Sequence, residues 1–336
     1  MQKKRILWAL HHLGERGTPF IRRLEESGCE VILNTLGHVL TEQELIDALP
    51  GVFGTVASIE PYTERVFRAA PDLRIVARYG VGYDMIDVEA ASRHGVVVAM
   101  AFGTNHETVA DCTLGLMIAA VRNVVGNHLR VKDGGWGFTV SPGLWRSTVG
   151  IVGLGRIGKA VARQCRGFEM EILATDPVQD AAFAREHGVT FVPLETLLRR
   201  ADIITLHAPH TRETEDMINR ESLGLMKPTA FVVNTARGGL VDEEALAEAL
   251  ATGKIAGAGL DVFKQEPPVQ SPLLKLDNIV FSPHAAGSDR PTEARVANRC
   301  VDSILALARG EHPGSAYLLN PEILELGQGG VSERQS

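Results

Sequence analysis

The chain has 336 residues, 45% of them hydrophobic and 22% charged, with a formal net charge of −7. That is enough apolar material for two domain cores, while the acidic balance, unrelieved by any basic run, excludes a polyanion-binding surface, so no nucleic-acid partner is expected. No stretch has the apolar length of a membrane span, and the run Ile6–Leu10 behind Lys3-Lys4-Arg5 is cut short by His11-His12, which reads as a first strand and not as a leader.

Short apolar runs come first, at Arg5–Leu10, Val31–Leu33, Val52–Ser58, Arg74–Ala77 and Val96–Ala99, and the segments between them carry helical spacing. This alternation predicts a parallel α/β unit. Next, His106–Val124, with Val109, Leu114, Leu116, Met117, Ala120 and Val121, predicts one long apolar helix packed between domains. The segment from Asp133 to Trp145 holds Trp136, Trp145 and several breakers; it reads equally as an extended arm that meets a partner subunit and as a plain surface loop. A second series of strands is expected at Val149–Val152, Ile172–Thr175, Ile203–His207, Phe231–Asn234, Ala256–Leu260 and Ile279–Ser282, a second doubly wound sheet. A helix over Thr292–Ala308, returning to the first domain, leads to an Asn320-Pro321 turn, and the polar tail from Gly327 is expected to be disordered. Cys29, Cys112, Cys165 and Cys300 lie far apart with no metal-ligand spacing, so reduced thiols in a cytoplasmic protein are expected, without a disulfide or structural zinc.

The segment Thr148-Val-Gly-Ile-Val-Gly-Leu-Gly-Arg-Ile-Gly158 reads as strand, glycine-rich turn and helix start. Gly153 suits the tight turn, Gly155 the close approach of a pyrophosphate to the backbone, and Gly158 the packing of helix on strand. Asp176 closes the next apolar run, where a carboxylate accepts ribose hydroxyls and repels a 2′-phosphate, favouring NAD over NADP. Further on, three apolar runs end in chemistry-bearing residues: Phe231–Asn234 leads to Arg237 on a glycine-rich turn, Gly257–Leu260 to Glu266 before two prolines, and Ile279–Ser282 to His284. Singly, each also suits a solvated or structural role. Together they match hydride chemistry on a 2-oxo acid, which needs a guanidinium for carboxylate and ketone, an acid near neutral pH, and a carboxylate to orient and charge that imidazole.

At these residues the sequence resembles the D-isomer-specific 2-hydroxyacid dehydrogenases over most of its length. Matching segments are Arg78–Asp87, Thr104–Asp111, Val149–Gly158, Leu206–Pro209 with Thr214, Val233–Asp242, Gly257–Pro267 and Ser282–Gly287. The resemblance implies a Rossmann NAD-binding domain at 102–286 inserted into a flavodoxin-like substrate domain at 1–101 plus 287–320, with a tail at 321–336. It implies Arg237, Glu266 and His284 as the catalytic triad, and Tyr79, Gly80, Val81 and Gly82 beside Arg237 and His284 as substrate contacts. It implies cofactor contacts from Gly153, Gly155, Arg156, Ile157, Gly158, Asp176, His207, Pro209, Thr214, Thr235, Ala236, Arg237, Asp261, His284 and Gly287. A homodimer through the cofactor domain is also implied. Asp111 and Ser288-Asp-Arg-Pro291 depart from the commoner pattern, Glu266 separates the chain from the formate dehydrogenase branch with its glutamine, and the regulatory domain of longer phosphoglycerate dehydrogenases is not expected. The rival readings are an NAD-sensing corepressor-like protein and a phosphite-type dehydrogenase. Arg78 is the nearest candidate cation for a phosphorylated substrate, while Tyr62, Tyr79 and Tyr83 would shape a smaller pocket.

Overall fold

The computed structural model describes residues 3–11, 13–137 and 140–324. The expected disorder from Gly327 lies outside the described residues, as do Phe138 and Thr139 within the tryptophan-bearing segment. The chain divides into two units, Met1–Asn105 with Asp289–Ser336, and His106–Ser288.

The first unit opens with β1 (Arg5–Trp8), α1 (Thr18–Glu26), β2 (Glu30–Leu33), α2 (Glu42–Ala48), β3 (Val52–Ala57), α3 (Glu64–Ala69), β4 (Ile75–Arg78), α4 (Val88–Arg93) and β5 (Val97–Met100). The strands pair in parallel in the order β2-β1-β3-β4-β5, a doubly wound sheet. Alternation along β1 sends Leu7 to one face with Leu45, Tyr62 and Phe67, and Ile6 and Trp8 to the other with Val296, Val301 and Ile304.

The second unit carries α5 (His106–Val121), α6 (Val124–Lys132), β6 (Thr148–Val152), α7 (Arg156–Cys165), β7 (Glu171–Thr175), α8 (Ala181–His187), β8 (Val189–Phe191), α9 (Leu194–Arg200), β9 (Ile203–Leu206), α10 (Arg220–Leu225), β10 (Phe231–Asn234), α11 (Glu243–Ala251), β11 (Gly257–Leu260) and β12 (Ile279–Phe281). Its parallel order is β12-β11-β10-β9-β6-β7-β8. Central strands β9, β10 and β11 are buried along their whole length, as a sheet covered on both faces requires. The last helix, α12 (Arg290–Ala308), belongs to the first unit, where it packs on β3, β4, β5 and α1.

Two expectations need correction. The helix drawn from His106 to Val124 stops at Val121, because Asn123 takes a left-handed conformation with φ of 48°, and α6 then leaves at 62° to α5. The buried face of α5 lies on α7 and on β10, β11 and β12. The edge strand β8 is not among the expected strands, since three residues, Val-Thr-Phe, are too few to show a period. No single helix among the described residues is long and apolar enough to cross a membrane.

Candidate active site

The β6–α7 turn is built by glycine. Gly153 has φ of 91°, and a Cβ there would stand 2.7 Å from both the Ala208 nitrogen and the His207 carbonyl carbon. A Cβ on Gly158 would overlap the Gly153 carbonyl oxygen, so the helix start sits directly on the turn. At Gly155 a Cβ would meet nothing within 4 Å. Helices α2, α3, α4, α8, α10, α11 and α12 are capped by Thr41, Thr63, Asp87, Asp180, Asn219, Asp242 and Asp289. Like α1, α6 and α9, α7 has no side-chain cap; its glycine N-cap, Gly155, forgoes only about a few tenths of a kcal/mol and leaves Arg156, Ile157 and Gly158 to offer N–H groups to an anion.

The turn lies where the sheet order reverses, between β6 and β9. Open α/β sheets bind ligands beyond the strands at that point. Asp176, after β7, accepts the Leu154 N–H through Oδ2 and the Val178 N–H through Oδ1, both at 2.7 Å. Each oxygen keeps a lone pair for a hydroxyl. His207, after β9, shares a 2.9 Å hydrogen bond with Thr205 Oγ1 through Nε2, while its buried Nδ1 has no partner among the described residues. Burial pushes its pKa down to about 3, so the ring is neutral. Thr214 Oγ1 donates to the Pro209 carbonyl at 2.7 Å, and Thr235 is held through its hydroxyl by Thr113 of α5 at 2.8 Å. An uncapped helix start, space at Gly155, an acid and an orphaned imidazole nitrogen along one sheet edge fit a dinucleotide.

The same edge carries Arg237, Glu266 and His284. Asn234, fully buried at the end of β10, accepts the Ala236 N–H at 3.0 Å and donates to the Arg237 carbonyl at 2.8 Å, a side-chain-built turn that presents Arg237. A Cβ on Gly238 would overlap the backbone of Phe263 and Lys264, so glycine brings this turn against the segment bearing Glu266. Glu266 Oε1 accepts the Phe263 N–H at 3.0 Å. Its Oε2 lies 2.7 Å from His284 Nδ1, which donates to it, leaving Nε2 without a protein partner among the described residues.

The charges reinforce this geometry. Burial pushes the Glu266 carboxyl up, but hydrogen bonds from His284 and Phe263 and the positive charges of His284 and Arg237 outweigh it and hold it below the usual range. The hydrogen bond to Glu266 raises the His284 pKa; burial and Arg237 oppose, while the charges of Glu266 and Asp261 add. Asp261, expected among the cofactor contacts, spends both carboxylate oxygens on the N–H groups of Ala285 and Ala286, at 2.9 and 3.0 Å. That bracing of the His284 turn, which also contains half-buried Gly287, was not legible beforehand; the signal is an acid directly after a buried strand.

In the first unit, the backbone passes from β4 through Tyr79 to Gly80, at φ of 138°, Val81 and Gly82. Tyr79 donates its hydroxyl to the Glu293 carbonyl at 3.3 Å. Arg78 Nη1 donates to the Tyr79 carbonyl, and a Cβ on Gly80 would fall 2.9 Å from that nitrogen. The neighbouring loop after β3 holds Glu60, fully buried, with Oε2 accepting the Ser58 N–H at 2.7 Å and Oε1 unpartnered among the described residues. Burial pushes its carboxyl up, against the pull of the Arg78 charge. Nothing in the sequence patterning marked Glu60, since an acid in a turn is ordinarily solvated.

Comparison with known proteins matches residues 114–286 to the D-isomer specific 2-hydroxyacid dehydrogenase, NAD binding domain. A glyoxylate reductase of Korarchaeum cryptofilum is 47% identical over 274 residues, covering 80% of this chain and 82% of that protein. A D-3-phosphoglycerate dehydrogenase of Archaeoglobus fulgidus is 40% identical over 291 residues, 85% of this chain but 55% of that protein. The crystal structure of the TT0316 protein from Thermus thermophilus superposes with a TM-score of 0.87 at 37% identity, covering 94% of this chain and 99% of that one.

Proposed function

Because the chain belongs to the D-isomer-specific 2-hydroxyacid dehydrogenases, and is thereby an NAD(P)-dependent enzyme of that class, we propose that it interconverts a small unphosphorylated D-2-hydroxy acid and its 2-oxo acid through Arg237, Glu266 and His284. The observation that carries this reading is the 2.7 Å pairing of His284 with Glu266, with Nε2 open beside Arg237's charge. A bound nicotinamide coenzyme supplies or accepts the hydride. In reduction, protonated His284 gives its Nε2 proton to the carbonyl oxygen, and Glu266 keeps the imidazole charged until then. In oxidation, neutral His284 takes the proton from the hydroxyl. Arg237 binds the carboxylate with its planar fork and polarises the ketone. Asp176 favours NAD, because a 2′-phosphate would stand against a carboxylate.

The unphosphorylated substrate is supported by the first unit, where the N–H groups at Gly80, Val81 and Gly82 are candidates for the substrate carboxylate. The cation nearest that turn, Arg78, is bent back on the Tyr79 carbonyl and acts on the buried Glu60 carboxyl. Engaged in this way, Arg78 is not turned out to pair with a substrate phosphate. We also assign the dimer contact to the second unit, where Val124, Val125, Leu129 and Val131 of α6, and Trp136 and Trp145 after it, are exposed; sedimentation of wild type should show a dimer, and charged substitutions at Val124 and Leu129 should give a monomer.

The test is a panel of NADH-dependent rates. Glyoxylate and hydroxypyruvate should be reduced with kcat/KM above that for phosphohydroxypyruvate, and phosphite with NAD should give nothing. A preference for the phosphorylated acid would contradict the substrate assignment, and absence of turnover on every 2-oxo acid would contradict the reaction.

A further inference from the structure

Glu266 sits on a segment without regular structure that leaves β11 and crosses in front of α11. Glu243, the first residue of α11, reaches it twice. Its Oε1 accepts the Lys264 N–H at 2.7 Å and its Oε2 accepts the Ser271 hydroxyl at 2.6 Å, so one carboxylate grips the chain on both sides of Glu266. Lys264 is fastened again by its ammonium, 2.6 Å from Asp216 Oδ1. Between these points the segment borders an open pocket of about 240 Å³ lined in part by Glu243, Glu244, Gln265, Ser271 and Pro272. Phe263 and Leu273 anchor the segment in the core on either side, but residues 264–271 between them are exposed or half-buried and border that pocket, so polar tethers have the larger part in placing this stretch.

We propose that Glu243 is a positioning residue: by clamping residues 264 and 271 it fixes the carboxylate of Glu266 at hydrogen-bonding distance from His284. The inference rests on the acid–base reading given above. The Asp242 cap of α11, whose Oδ1 accepts the Ala245 N–H at 3.1 Å, serves the helix and not the segment, so the roles of the two adjacent acids separate.

The experiment follows the pH dependence of kcat/KM for reduction, whose fall at high pH reports loss of the His284 proton. The charged groups acting on that imidazole are Glu266, Asp261 and Arg237, and none is altered by the variants used. In E243Q one acceptor remains and an amide N–H₂ faces the second donor. The descending limb should move to lower pH by about half a unit to one unit, with kcat at neutral pH about 10-fold lower. E243D, with both acceptors on a shorter arm, should recover part of the shift, and E244Q, which removes the neighbouring first-turn acid, should leave the limb in place. Should E243Q not fold, S271A cuts one tether from the other end and should move the limb the same way. A limb that stays put in the folded variants, with only the melting temperature lowered, overturns the proposal. A wild-type enzyme with no descending limb overturns the acid–base reading and this inference with it.

Discussion

Asp261 holds His284 in a left-handed backbone conformation: its carbonyl accepts the His284 N–H at 2.7 Å, where φ of His284 is 53°. Such a conformation costs a residue with a side chain about 1–3 kcal/mol unless its surroundings impose it. The imposition is local, because the carboxylate of the same residue takes the next two N–H groups, from Ala285 and Ala286. One buried acid therefore sets the backbone and raises the proton affinity of the ring it presents.

A pH dependence follows. His284 has a raised pKa in the folded enzyme, chiefly through Glu266, so the protonated form needed for reduction survives to higher pH and is lost as pH climbs through that value. E266Q should shift the descending limb of kcat/KM to lower pH, and D261N should shift it the same way by less. In oxidation, where neutral His284 acts, the ascending limb should also move down. Limbs that stay in place in both directions would separate the titration from this pair.

The two helix-start glycines should behave differently. G158A drives a methyl into the Gly153 carbonyl oxygen and should cost about 1–3 kcal/mol in urea unfolding, besides weakening NADH binding. G155A meets empty space, so unfolding should be nearly unchanged while NADH affinity, read by fluorescence titration, falls. Equal stability losses at the two sites would contradict this account of the turn.

Cofactor choice is expected to lie at Asp176. D176A removes the charge that faces a 2′-phosphate and should raise the ratio of kcat/KM for NADPH over NADH. It also leaves the N–H groups of Leu154 and Val178 without their acceptor, so NADH itself should bind less well. An unchanged ratio would put discrimination elsewhere.

Acid stability should have a contribution from Glu64, whose carboxyl is held at about 2 by hydrogen bonds from His94, Arg93 and Arg68. A depressed carboxyl pKa stabilises above the unfolded value, 4.5, and the effect is lost as pH falls toward about 2. E64Q should therefore melt below wild type at neutral pH, with the gap closing between those two pH values in a calorimetric series. A gap that does not change with pH would point to packing instead.

Both sheets were legible because buried parallel strands read as continuous apolar runs, and these lie between segments of helical spacing or glycine turns whose chemistry is local. Arg237, Glu266 and His284 were legible because each ends such a run. What was hidden depends on contacts distant in sequence or on single backbone angles. The left-handed Asn123 splits an apolar stretch that looks continuous, β8 is too short to show a period, and the bracing by Asp261 exists only once β11 and β12 lie side by side. Glu60 is hidden for a related reason, since its burial is decided by the surrounding loops.

The most direct measurement is the steady-state turnover of H284N with NADH and glyoxylate, beside its affinity for NADH. Removal of the positioned acid should lower kcat about 10²–10⁴-fold while NADH binding persists. Turnover close to wild type, with the coenzyme bound normally, would show that the imidazole held by Glu266 is not the group that moves the proton.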